Sequence, residues 1–129
     1  MKRLLTFTAI IEAVTGLALI TMPSIVVRLL LGSPLQTYDA VTLGRVAGAA
    51  LFALGVACWL AQHDAQSCAA RGLVSAMFLY NLCTVVILGV AGVWSQPVGI
   101  ALWPAVVVHA AMTVWCVARL AAQSPDTRR

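Results

Sequence analysis

The sequence predicts an all-α integral membrane protein, a four-helix bundle with a short interfacial or re-entrant helix between its first and second spans. Three observations carry this. Of 129 residues, 62% are hydrophobic and 9% charged, whereas a soluble domain has about 45–50% apolar and roughly 25% charged residues. Polar punctuation leaves four apolar stretches of about 20 residues, the length that crosses roughly 30 Å of hydrocarbon. None of them alternates with the period of a barrel strand. A single transmembrane domain, 1–129, follows, and soluble enzymes, secreted disulfide scaffolds and disordered tails are excluded.

The first span covers 4–22. Lys2-Arg3 imitates the start of a signal peptide, but Glu12 interrupts the apolar run and no small-residue cleavage site precedes Pro23, so it reads as a retained span. The segment from Pro23 to Leu31, closed by Gly32-Ser33-Pro34, is too short to cross and is expected to lie at the interface or re-enter. Span two covers 40–61, capped by Thr37 or Asp39, and span three covers 71–93, with Ser67 as its cap. The connection Ser95-Gln96-Pro97 is so short that spans three and four (98–120) must be antiparallel neighbours. Pro104 is expected to remove a backbone hydrogen bond early in span four and bend it. Gln123 to Arg129 form a polar tail.

Formal charge is +4, yet no basic stripe suggests nucleic acid. With the N-terminus inside, Lys2, Arg3, Arg71, Arg119, Arg128 and Arg129 are cytoplasmic and Arg28 alone occupies an outer loop. This bias places both termini in the cytoplasm and the protein in a bacterial inner membrane as a multi-pass chain. Trp59 and Trp115 then mark the inner interface, and Trp94 and Trp103 the outer. Cys58, Cys68, Cys83 and Cys116 lack metal-site or framework spacing and read as small apolar residues.

Counting from span midpoints puts Glu12, Asn81 and His109 at nearly one depth, with Arg45 about 8 Å outward but long enough to reach inward. Glu12 is expected to face Arg45, with His109 or Asn81 completing the hydrogen bonds. Tyr80, beside Asn81, is an aromatic filler or a pocket donor, and Thr113 shares the face of His109. An unpaired charge at the centre of a span costs about 2.5–3.5 kcal/mol on insertion scales. The cluster is therefore either a ligand- or proton-binding pocket or a polar clasp that fixes helix register. Gly44, Gly48 and Gly55 permit close helix contact, within the bundle or in a dimer. No cofactor is identified: His109 is the single His within a span, so bis-His haem ligation inside one chain has no second ligand. No metal set, nucleophile elbow or phosphate loop occurs, and catalysis would have to rest on Glu12 and His109 alone.

Two resemblances accompany these residues. Leu43-Gly44-Arg45-Val46-Ala47-Gly48-Ala49-Ala50-Leu51-Phe52-Ala53-Leu54-Gly55 resembles the second span of bacterial DoxX-like small membrane proteins. That resemblance implies a four-span bundle, in some cases an accessory of a redox or respiratory system. Ala9-Ile10-Ile11-Glu12-Ala13-Val14-Thr15-Gly16 resembles the first helix of the small multidrug resistance transporters, which implies a proton- and substrate-binding role for Glu12. Arg45 departs from that second pattern, since it would compete with a cationic substrate. The reading that follows is a binding or accessory subunit with an intramembrane pocket for a small apolar ligand, or a membrane protein partner. The alternative is a proton-coupled transporter acting as a homodimer.

Overall fold

The computed structural model describes residues 1–94 and 97–122. Ser95, Gln96 and the tail with Arg128 and Arg129 lie outside the described residues. Five α-helices follow in order, α1 (Lys2–Thr21), α2 (Pro23–Leu31), α3 (Tyr38–Ala61), α4 (Cys68–Trp94) and α5 (Leu102–Ala121), with one 3₁₀ turn, Gln62–Asp64, after α3. The described residues contain no strand. Helices α1, α4 and α5, and α3 with its 3₁₀ turn, are long and apolar enough to cross a membrane. Large apolar side chains point outward from all four, Val14 at 64%, Leu43 at 69%, Ile87 at 66% and Val114 at 69% exposure. Water would not tolerate such a mantle, whereas acyl chains match it. The chain is a multi-pass membrane protein.

Local chemistry sets the helix ends. The Thr37 hydroxyl accepts from the Ala40 N–H at 3.2 Å and opens α3. The Ser67 hydroxyl accepts from the Ala70 N–H at 3.1 Å and opens α4. Pro23 stands in the first turn of α2, where a missing N–H leaves no gap, and Gly32 ends that helix in the left-handed region at φ 82°. Span four begins at Leu102 rather than 98 because the preceding strap is used elsewhere. Gly99 N–H donates to Leu30 O at 3.1 Å, and Ala101 N–H donates to Leu29 O at 2.9 Å, so the strap satisfies the last carbonyls of α2. Pro104 thereby becomes the third residue of α5. No intrahelical bond is lost there, so the bend expected from it has no cause.

The bundle consists of two tight antiparallel pairs. In α1 and α3 a seam of small residues brings the backbones together: a Cβ on Gly16 would stand 2.5 Å from Phe52 N, one on Gly48 2.7 Å from Gly16 O, and one on Gly55 2.8 Å from Ala13 N. The glycines of span two thus serve contact inside the bundle. In α4 and α5, Gly92 accommodates Leu102 and Trp103 in the same way. The pairs close on one another at the end holding Met1, through a core of Leu4, Leu5, Cys58, Val74, Met77 and Cys116 with their neighbours. Thr6 Oγ1 donates to the buried Gln62 Oε1 at 2.5 Å at this end. Toward α2 the pairs diverge.

Candidate functional site

Where the pairs diverge, the structure holds a cavity of about 510 Å³ with α2 across its top. This lies within the roughly 300–1,000 Å³ of ligand pockets. All five helices contribute walls, and about two-thirds of the lining residues are aliphatic. Three residues carry the stronger polar chemistry: Glu12 from the middle of α1, Tyr80 from the middle of α4 and His109 from α5.

Glu12 is 4% exposed, and its carboxyl has no hydrogen-bond or ion-pair partner among the described residues. It reaches this position because the opposite side of α1, Ala9, Ala13 and Gly16, is held against α3, which turns residues 11, 12, 15 and 19 toward the cavity. His109 Nδ1 lies 2.7 Å from Ala105 O. A carbonyl only accepts, so Nδ1 carries the proton and donates; in the tautomer this fixes, Nε2 is the nitrogen that can accept from the cavity. The rings of Tyr80 and His109 meet edge-on, with centroids 5.9 Å apart and planes at 63°. Thr84 donates to Tyr80 O at 2.8 Å, and Thr113 donates to His109 O at 2.8 Å.

The expected pairing of Glu12 with Arg45 is not present. Arg45 is exposed, and no ion pair joins it to Glu12 among the described residues. The glycine seam gives the reason. Gly48 packs on Gly16 and Ile20, and Gly55 on Ala9 and Ala13, so the level of Glu12 falls near 52–55 on α3. Arg45 lies about eight residues, or ~12 Å, from that level, toward the α2 end. There its guanidinium reaches outward.

Asn81 is also apart from the cavity. It is 1% exposed, and its Nδ2 donates to Met77 O one turn back at 2.7 Å, so the amide serves its own helix. The Thr113 hydroxyl, likewise bound to its own helix, lines no part of the cavity. Of the six residues expected at the site, the structure gathers Glu12, Tyr80 and His109.

Helical spacing places Thr15 on the face of Glu12 and Thr84 with Leu88 on one face of span three, and all three line the cavity; sequence reasoning missed the Leu51 wall and the α2 roof of Val26, Leu29 and Leu30. In α2 the i, i+4 pair Ser24 and Arg28 marks one polar side, opposite Val26, Leu29 and Leu30, and this was the signal that could have found the roof. Thr8, one turn from Glu12 on the same face, has a buried hydroxyl without a partner among the described residues. No group of three or more metal-ligating side chains occurs among the described residues. Compared with protein-family models, curated proteins and solved structures, the chain matches none.

Proposed function

We propose that the chain is a small binding or accessory subunit of a bacterial inner-membrane system, with both termini cytoplasmic, and that it holds a small, mostly apolar ligand in its intramembrane cavity. The observation that supports this best is Glu12, a carboxyl buried at mid-span, without a partner among the described residues, lining a ligand-sized cavity with His109 and Tyr80. A polar clasp that only fixed register would satisfy its members with each other. Here Asn81 and Thr113 bond to their own helices while Glu12 faces open space. The Lys and Arg bias supports the orientation, and the likeness of 43–55 to DoxX-like proteins fits an accessory role.

Purification of the full chain in a mild detergent, followed by native mass spectrometry, tests the reading. Wild type retains a small molecule or a protein partner that Glu12→Gln releases while still folded. Glu12-dependent solute flux in proteoliposomes would overturn it.

A second reading, a proton-coupled transporter acting as a homodimer, draws on one specific observation. With Arg45 ~12 Å away along the bundle, the main objection to a cationic substrate at Glu12 is weakened. Uptake of tetraphenylphosphonium driven by an imposed pH gradient, abolished in Glu12→Gln, is the result this reading requires.

A further inference from the structure

The walls of the cavity bear on how a ligand enters and what its head group must be. At the Met1 end, the packed side chains of Thr8, Met77 and Met112 close the space one turn below Glu12, Tyr80 and His109. At the other end α2 lies over it, tied down by the two backbone hydrogen bonds from Gly99 and Ala101. The Met1 end is thus closed by packed side chains, and α2 covers the other end, with Leu29 of that roof itself exposed.

The open side lies between α1 and α5. These helices meet where the rings of Phe7 and Trp115 pack tilted at 48°, with centroids 6.0 Å apart. Further along, Ile11 and Thr15 on α1 are half-buried, and Pro104 and Val108 on α5 are exposed, yet all four line the cavity. An opening at this depth of a spanning bundle faces acyl chains.

We propose that the cavity takes its ligand sideways from the lipid phase, and that this ligand is a neutral amphiphilic alcohol, an apolar body with a hydroxyl head; this rests on the binding reading above. The polar groups present argue for the hydroxyl. With Nδ1 on Ala105 O, His109 Nε2 can accept in the corresponding tautomer; the Glu12 carboxyl lacks a partner among the described residues, and the Tyr80 phenol, beside the Thr84 hydroxyl, can donate. A hydroxyl both donates and accepts, so it serves His109 or Glu12 and Tyr80 together. An ammonium head has nothing with which to accept from Tyr80, and a carboxylic acid would bring a second acid against Glu12. A hydrocarbon would leave the Glu12 carboxyl and the free ring nitrogen of His109 without partners in a dry site, which is costly. The aliphatic remainder of the lining matches the apolar body.

The test uses the full chain in lipid nanodiscs with a hexadecanol probe bearing a photoactivatable diazirine, beside matched amine, acid and hydrocarbon probes. Crosslinks are mapped by peptide mass spectrometry. The alcohol is expected to label α1, α4 and α5 around Glu12, Tyr80 and His109, and unlabelled hexadecanol to displace it. Tyr80→Phe, which keeps the ring, should weaken labelling by about five- to tenfold, the loss of one hydrogen bond. Val108→Trp, at a lipid-exposed position, should obstruct entry and slow labelling while helicity and melting stay those of wild type.

Equal labelling by the hydrocarbon, stronger labelling by the amine or the acid, or unchanged rates in Val108→Trp would each overturn the proposal. If a species is retained through Glu12 on native purification but the alcohol does not label, lateral alcohol binding fails and the binding reading stands. If neither is seen, both fail.

Discussion

Replacing Gly48 by alanine probes the seam that positions Glu12. The new Cβ would sit 2.7 Å from Gly16 O and 2.8 Å from both Ile20 N and Leu19 Cβ, where ordinary contact begins at 3.4 Å. Two of these neighbours are backbone atoms of α1 and cannot turn aside as a side chain does, so α1 and α3 must part by most of an ångström along a contact they share for several turns. Overpacking of this kind costs about 1–3 kcal/mol, which corresponds to several degrees of melting temperature. Gly72 and Gly89 supply the comparison, since a Cβ at either meets nothing within 4 Å. Alanine there should be neutral or stabilising by up to about 1 kcal/mol through helix propensity. Thermal unfolding of the three variants in one detergent, followed by circular dichroism, reads the difference. If Gly48→Ala melts with Gly72→Ala or above it, the seam is looser than described, and the placement of Glu12 against the cavity loses its basis.

Four further outcomes are expected. A double-mutant cycle on Glu12→Gln and Arg45→Gln should give additive stabilities within about 0.5 kcal/mol, because the two side chains lie on different levels; a larger coupling would restore the ion pair. Thr8→Val, which removes a buried hydroxyl without a partner while keeping its shape, should leave stability unchanged or raise it by up to about 1 kcal/mol, and a clear loss on melting would reveal a partner for Thr8. Ser67→Ala should destabilise by about 1 kcal/mol through the lost cap of α4, read from the same melts. Gly99→Ala drives a Cβ into the Leu29 carbonyl and should free the strap; hydrogen exchange at position 99 and at Ala101, the two N–H groups bonded to α2, should accelerate, and unchanged protection there would speak against the tie between α2 and α5.

Much of the architecture was legible in the residues. Apolar length and polar punctuation located four spans, Thr37 and Ser67 announced two helix starts, and Pro23 and Gly32 bracketed α2. The glycines of span two pointed to close packing. What the sequence did not reveal was which faces meet at which height. In lipid both the bundle interior and its outer surface are apolar, so the amphipathic stripe that orients a soluble helix is faint here. Depth counted from span midpoints also treats unequal helices as level rods, although α1 has 20 residues, α3 24 and α4 27. The relative height of α1 and α3 is fixed instead by Gly16, Gly48 and Gly55, and it sets Arg45 away from Glu12. Asn81 and Thr113 stand apart from the cavity for a local reason: each has a backbone carbonyl of its own helix one turn back, and that nearby acceptor takes the side chain.

The seam between α1 and α3 also divides the labour of change within the bundle. Its three glycines leave no room for either helix to slide or roll, so Glu12 stands as a fixed post on a rigid half. Side chains on α4 and α5 are not held by such contacts with that half. Adaptation of the cavity to a different ligand, in evolution or by design, should therefore be written into Tyr80, Thr84, Val108 and His109 rather than into the helix that carries the acid.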